Sequence, residues 1–239
     1  MTRKLFLEDA YLREAEGVVS GHSTDGGVCL DQTLFYTTSG GQPGDRGVLE
    51  WNGGELSVAT AVKAEGDRIA LIPEEGQALP DIGTQVAQKI DWDLRLRHMR
   101  VHTALHLLSV VIPLPVTGGS ISADKGRLDF DMAEPPEDKA ALDAALNDLV
   151  ARDLPVSEDW ITDAELDANP GLVKTMSVRP PSGQGRIRLI RIGEGAAQVD
   201  LQPCGGTHVA RTTEIGQVRL GKIEKKGRQN RRVYLHLVE

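Results

Sequence analysis

The chain has only two cysteines in 239 residues, few histidines and no long apolar run, and each scarcity removes a class of protein. So little cysteine excludes a disulfide-stapled secreted scaffold and points to a reducing cytosol. No apolar stretch reaches the length that crosses a bilayer, and the start, Met1 to Asp9, lacks the apolar core and small-residue cleavage site of a secretory signal. There is no internal repeat and no low-complexity segment. The expectation is a soluble cytoplasmic protein with no membrane partner. A hydrophobic content of 40% is enough for real cores, so the chain is not disordered, and its length suits one large domain or two modest ones.

Against this scarcity, three of the six histidines and one of the two cysteines fall into two matched pairs, His102/His106 and Cys204/His208. Both pairs are spaced i, i+4. In a helix that spacing puts both side chains on one face, about one turn apart, so they can reach a single cation. Three imidazoles and a thiolate form a borderline-soft donor set that suits zinc far better than calcium or magnesium, which take oxygen ligands. One zinc per chain is expected. His22, His98 and His236 have no such partners, and Cys29, in the apolar run Gly27-Val28-Cys29-Leu30, reads as a small buried thiol in a strand. A Cys29–Cys204 disulfide satisfies the count but would remove a ligand.

The chain reads as α+β, with a glycine-rich small β-barrel over residues 1–92 and an α+β zinc-containing domain over 93–239. In the first region short β-type runs at 17–19, 28–30, 47–51, 56–60, 69–72 and 86–90 are separated by turn residues, the pattern of a small barrel or sandwich. The segment Ser39 to Gly47 is too rich in glycine for a regular element. It reads as a tight connection, or as a loop whose N–H groups approach a phosphate. From Asp93, a plausible N-cap, the period changes to 3.6 and runs to about Ile112, where Pro113 and Pro115 end it. Strands are expected at 117–122, 126–132, 156–160, 186–192, 215–222 and 231–237, with a helix from about 136 to 152.

The net charge of −8 argues against a polyanionic partner, but the charge is unevenly spread. Glu134 to Asp167 holds eleven acidic residues against two basic, whereas Arg211 to Val238 holds eight basic residues against two acidic. A local basic surface decides where a phosphate backbone lies. An ordinary solvated hairpin is the equal alternative on charge alone.

The strings His102-Thr103-Ala104-Leu105-His106-Leu107-Leu108 and Cys204-Gly205-Gly206-Thr207-His208-Val209 resemble the editing domain shared by alanyl-tRNA synthetases and the free-standing alanyl-tRNA editing proteins called AlaX, and related to that of threonyl-tRNA synthetase. Leu34-Phe35-Tyr36 and the run Thr38 to Gly47 are similar to the glycine-rich module preceding that domain, and Ile223 to Arg232 resembles its closing hairpin. With no aminoacylation domain present, the chain resembles the medium-length members. The resemblance implies a hydrolase acting in trans on tRNA(Ala) mischarged with serine, and with glycine, and it implies no DNA partner. It places Thr117 and Ser120, in Thr117-Gly118-Gly119-Ser120, on the wall of the amino-acid pocket as candidate catalytic hydroxyls. Many alanyl-tRNA synthetases carry glutamine where this chain has Thr117. Lys225, Lys226, Arg228 and Arg231 are the candidate tRNA contacts.

Zinc can acidify a bound water and polarise an ester, which is the chemistry aminoacyl-ester hydrolysis needs. Four protein ligands nonetheless resemble a closed structural site. Either the metal becomes five-coordinate with substrate or one of the four is not a permanent ligand; the alternative is that zinc orders the pocket or holds the substrate's amino group while hydroxyls position water. Two other functions remain open at this stage: a tRNA-binding module with structural zinc and no catalysis, and a zinc hydrolase of a small ester.

Overall fold

The structure is a computed structural model that describes residues 1–175 and 185–238. Its contacts divide the chain into two compact units, Met1–Leu96 and Arg97–Glu239, with the division falling inside a helix.

In the first unit the strands are β1 (Arg3–Lys4), β2 (Glu14–His22), β3 (Val28–Leu30), β4 (Gln32–Thr33), β5 (Gly47–Trp51), β6 (Gly54–Ala64), β7 (Arg68–Pro73) and β8 (Gln85–Ile90). Six of them close an antiparallel barrel in the order β2-β3-β7-β6-β5-β8, and β1 pairs with β4 in parallel. Alternation explains the barrel: along β2 every second residue from Gly17 to Gly21 is buried, and the rest face solvent. Val19, Val28, Leu30, Leu49, Leu56, Ile69, Leu71 and Val86 fill the interior, each contributing about 1.5–3 kcal/mol.

The glycine-rich segment Ser39 to Gly47 packs on this barrel. Gly41 turns the chain at φ 83°, and a side chain at Gly44 or Gly47 would overlap the carbonyl oxygen of Ala61 or Lys89. Between these two glycines Asp45 is buried and accepts hydrogen bonds from Tyr36 N–H and from Arg95, whose side chain is fully enclosed. Arg95 also donates to the carbonyls of Ala10 and Leu34. Its charge and N–H groups are thereby matched, as a buried guanidinium requires.

Helix α1 (Trp92–Val111) begins one residue before the expected cap. Asp91, not Asp93, caps it: the Asp91 side chain accepts from Leu94 N–H at 3.1 Å and its carbonyl from Arg95 N–H at 3.0 Å, while Asp93 sits in the first turn. Both are acidic and adjacent to the first turn, so composition alone did not separate them.

The second unit continues with β9 (Val116–Ile121), β10 (Lys125–Asp131), α2 (Lys139–Ala151), β11 (Val156–Ile161), α3 (Asp163–Ala168), β12 (Ile187–Ile192), β13 (Asp200–Pro203), β14 (Val218–Lys225) and β15 (Asn230–Leu237). They form a four-stranded sheet, β14-β15-β10-β9, and a three-stranded sheet, β11-β12-β13, so this unit is α+β. Asp143 and Asn147, one turn apart on α2, bond the main chain of edge strand β14 at Leu220 and Val218. That contact covers an edge that would otherwise be open for pairing. α1 is buried on most sides: Met99, Val101, Ala104, Leu105, Leu107 and Leu108 are all enclosed. A side chain at Gly126 of β10 would meet Val101 and Leu105, so the sheet lies directly on that face of α1. His102 and His106 project about 100° further round. No helix among the described residues is long and apolar enough to cross a membrane.

Candidate metal centre

The four expected ligands converge. Each of His102, His106, Cys204 and His208 offers one donor atom, and these atoms all lie within 4.8 Å of one another. Cys204 Sγ is 3.5 Å from His102 Nε2 and 3.3 Å from His208 Nε2. A tetrahedral zinc with bonds of about 2.0–2.3 Å spaces its donors roughly 3.3–3.6 Å apart, so the set fits that ion. Among the described residues it is the one group of histidine, cysteine and carboxylate so arranged. The three histidines are buried, at 5–7% exposure, and Cys204 is partly exposed.

The two pairs are carried differently. His102 and His106 sit in the middle of α1, while Cys204 to His208 follows β13 with no regular structure. Arg188 of β12 holds this segment: Nη1 donates to the carbonyls of Cys204 at 3.1 Å and Gly206 at 2.7 Å, and Nη2 to Glu158 Oε1 at 2.6 Å. Gly206 N–H points at Cys204 Sγ, 3.4 Å away, a contact that favours thiolate.

The rings are oriented through their second nitrogens. His106 Nδ1 faces Asp200 Oδ2 at 2.9 Å, and a carboxylate there requires the hydrogen on Nδ1, leaving Nε2 for a metal. Thr103 sits between the two helix ligands in sequence. Its hydroxyl donates to Met99 O and accepts from Val209 N–H, so His208 Nδ1, 3.2 Å away, donates to it and keeps Nε2 open as well.

Charge in the cluster is already set for a cation. Burial opposes a charge on Cys204, yet the imidazoles of His102 and His208 beside it hold the thiol well below its ordinary range. Burial likewise works against His106, but its hydrogen bond to Asp200 and the Cys204 contact push it up to about 9. Burial, and then the His102 charge, bring His208 down to about 3. Asp200, which burial alone would raise, falls to about 2 beside His106 and Lys174. The metal-free site therefore keeps a thiolate with a proton on the helix side, and a divalent cation replaces that proton.

Thr117 is half-buried and occupies a β-bulge, where Val116 and Gly118 pair with the consecutive residues Phe130 and Asp129. Its hydroxyl donates to Asp129 O at 3.1 Å and accepts from Asn230 Nδ2 at 2.7 Å. Bulges of this kind re-aim a side chain. Ser120 is exposed near the end of β9. The start of β9 is tied to the cluster: Val116 N–H donates to Lys174 O, and Lys174 Nζ reaches Asp200 Oδ1.

In the basic hairpin Lys225, Lys226 and Arg228 are exposed, and Lys226 pairs with Glu224 at 3.1 Å. Arg231 is placed otherwise. It is 6% exposed and its guanidinium donates to the carbonyls of Ala133, Gly227 and Asn230, so it braces the turn from within. A solvent-facing phosphate has no access to it. Sequence reasoning did not find Asp200, Gln202, Thr103, Lys174 or Arg188. For the first two a signal existed, since polar residues at i and i+2 in the strand just before Cys204 share one face.

Residues 187–234 match the family described as "Threonyl and Alanyl tRNA synthetase second additional domain", and residues 10–94 match "tRNA synthetases class II (A)". The chain is 35% identical to an alanyl-tRNA editing protein AlaX-M of Methanosarcina acetivorans, over the full length of both. It is 34% identical to an AlaX-M protein of Saccharolobus solfataricus over 98% of each chain. An alanine–tRNA ligase of Pyrobaculum calidifontis is 34% identical over 94% of this chain but only 25% of its own. A ligand set converging from α1 and the Cys204 segment thus comes with full-length similarity to named relatives, and the chain belongs to the AlaX-M family of alanyl-tRNA editing proteins.

Proposed function

We propose that this chain is a zinc-dependent aminoacyl-tRNA hydrolase that clears tRNA(Ala) mischarged with serine, and with glycine, acting in trans. The convergence of His102, His106, Cys204 and His208 on one point carries the zinc reading. Alanyl-tRNA editing is what the full-length relatives are named for, and the ligases match only through a quarter of their length. A zinc held there would supply Lewis acidity and an acidified water.

The chain's own groups do the rest. Asp200 and Thr103 orient the rings of His106 and His208. Thr117 has committed its hydrogen to Asp129 O, so a serine hydroxyl in the pocket has to donate to it. A glycine ester offers no such hydroxyl, and a methyl offers no polar handle. Phosphate contacts fall to Lys225, Lys226 and Arg228, a short exposed cationic strip on a chain of net charge −8. The four-donor set also favours a second reading, a tRNA-binding module whose zinc is structural.

Deacylation of seryl-, glycyl- and alanyl-tRNA(Ala), with and without chelator, separates the two. Editing predicts rapid loss of the serine ester, slower loss of the glycine ester and least of the alanine ester, all stopped by metal removal. Fully zinc-loaded protein that binds tRNA and hydrolyses none of them is the structural module. Thr117→Val, close in shape, is expected to slow the serine ester more than the glycine ester with zinc content intact. Equal rates on both would remove Thr117 as the selective contact.

A further inference from the structure

A carboxylate with no exposed surface stands between the helix ligand His106 and a half-buried lysine. Asp200 Oδ2 lies 2.9 Å from His106 Nδ1 and accepts from Gln202 Nε2 at 2.8 Å, while Oδ1 accepts from Lys174 Nζ at 2.5 Å. The Asp200 side chain is 0% exposed and that of Lys174 28%. His106 Nδ1 has a second neighbour, since Gln202 Nε2 is 3.1 Å away. Only one of the two can set the ring's hydrogen. Facing the carboxylate, Nδ1 carries it and Nε2 keeps its lone pair. Facing an amide donor, Nδ1 becomes the acceptor, the hydrogen moves to Nε2, and that nitrogen no longer binds a cation.

We infer that Lys174 is a positioning residue of the metal centre: its ammonium fixes the Asp200 carboxylate in the orientation that keeps the His106 hydrogen on Nδ1. The inference rests on reading the cluster as a zinc site. Lys174 is itself held. Its carbonyl accepts Val116 N–H at 2.9 Å, Thr175 pairs with Val116, and Nζ also reaches Ser109 Oγ at 3.5 Å. The ammonium is thus anchored from β9 on one side and reaches α1 on the other. Without it, a fully buried carboxylate would retain, among the described residues, only Gln202 and His106 as partners, and an uncompensated buried charge is strongly unfavourable. The carboxylate then turns or draws in water, and Gln202 is left to compete for Nδ1.

The test compares zinc affinity, by chelator competition, in the full chain and in Lys174→Met, Lys174→Gln and Lys174→Arg. Loss of an outer partner typically weakens metal binding about 10–100-fold, and that loss is expected for Met and Gln, with most of the affinity kept by Arg. In nitrogen-edited spectra of the zinc-loaded chain, the His106 Nδ1 proton should be protected from exchange in the parent and exposed to it in the neutral variants. Using Gln as well as Met keeps the test available if one variant does not fold. Neutral variants with the parent's affinity and the parent's protected proton overturn the inference. A parent that takes up no zinc overturns the zinc reading instead.

Discussion

His102 and His106 stand one turn apart on a helix whose backbone fixes their separation, whereas Cys204 and His208, with the same spacing in the chain, lie in a segment without regular structure. Equal spacing therefore arises from two different causes. On α1 the geometry is local, set by 3.6 residues per turn. In the Cys204 segment it comes from elsewhere in the unit: Arg188 grips two carbonyls, Gly206 N–H approaches Sγ, and Thr103 of the helix receives His208. One pair is preorganised by its own backbone, and the other by residues distant in sequence. The second should be easier to disturb without touching a ligand.

The largest effect should come from deleting a donor. Cys204→Ala removes the only thiolate and should abolish stoichiometric zinc and deacylation together, a greater loss than the roughly 10–100-fold expected for an outer partner. Metal analysis of the purified variant decides it, and a full equivalent of zinc at unchanged affinity would remove cysteine from the site.

Next in size, Arg188→Met attacks the loop pair alone. Its hydrogen bonds are charge-assisted, and their loss should cost on the order of 2 kcal/mol in urea unfolding and weaken zinc binding. If hydrogen exchange shows α1 loosening as much as the Cys204 segment, the division between the two pairs is wrong.

A smaller effect distinguishes the pairs by protons. Without metal, His106 stays protonated up to about 9 while His208 is already neutral above about 3. Zinc binding near neutral pH should thus release a proton from the helix pair, and affinity should rise by about tenfold per pH unit until His106 has titrated. Calorimetry in buffers of different ionisation enthalpy counts that proton. No release at neutral pH would contradict the assignment.

The smallest change concerns the hairpin. Neutralising Lys225, Lys226 and Arg228 together should reduce the slope of log K against log salt by somewhat under one for each lost phosphate contact. Arg231→Ala, by contrast, should lower stability more than it alters the salt slope, because its guanidinium is buried on main-chain carbonyls.

Much of this was legible in the chain. Short β-type runs between turn residues placed the barrel strands, the 3.6 period placed α1, and the rarity of histidine and cysteine made the two pairs stand out. Other features were not legible, for physical reasons. A buried arginine and an exposed one look alike in a basic run, so Arg231 was grouped with the surface lysines. Asp200 and Gln202 share one strand face by their i, i+2 spacing, but in a strand of four residues that spacing does not say that the face is the buried one. Lys174 meets Asp200 across 26 residues, and Arg188 meets Gly206 across 18, contacts that only the folded sheet creates.

The central claim is that one zinc, shared between a helix pair and a loop pair, is what editing requires. Titrating zinc into the metal-free chain while following hydrolysis of seryl-tRNA(Ala) tests it most directly. Activity should rise in proportion to added metal and level off at one equivalent per chain. Full activity before any zinc is added, or none once the site is filled, would contradict the account.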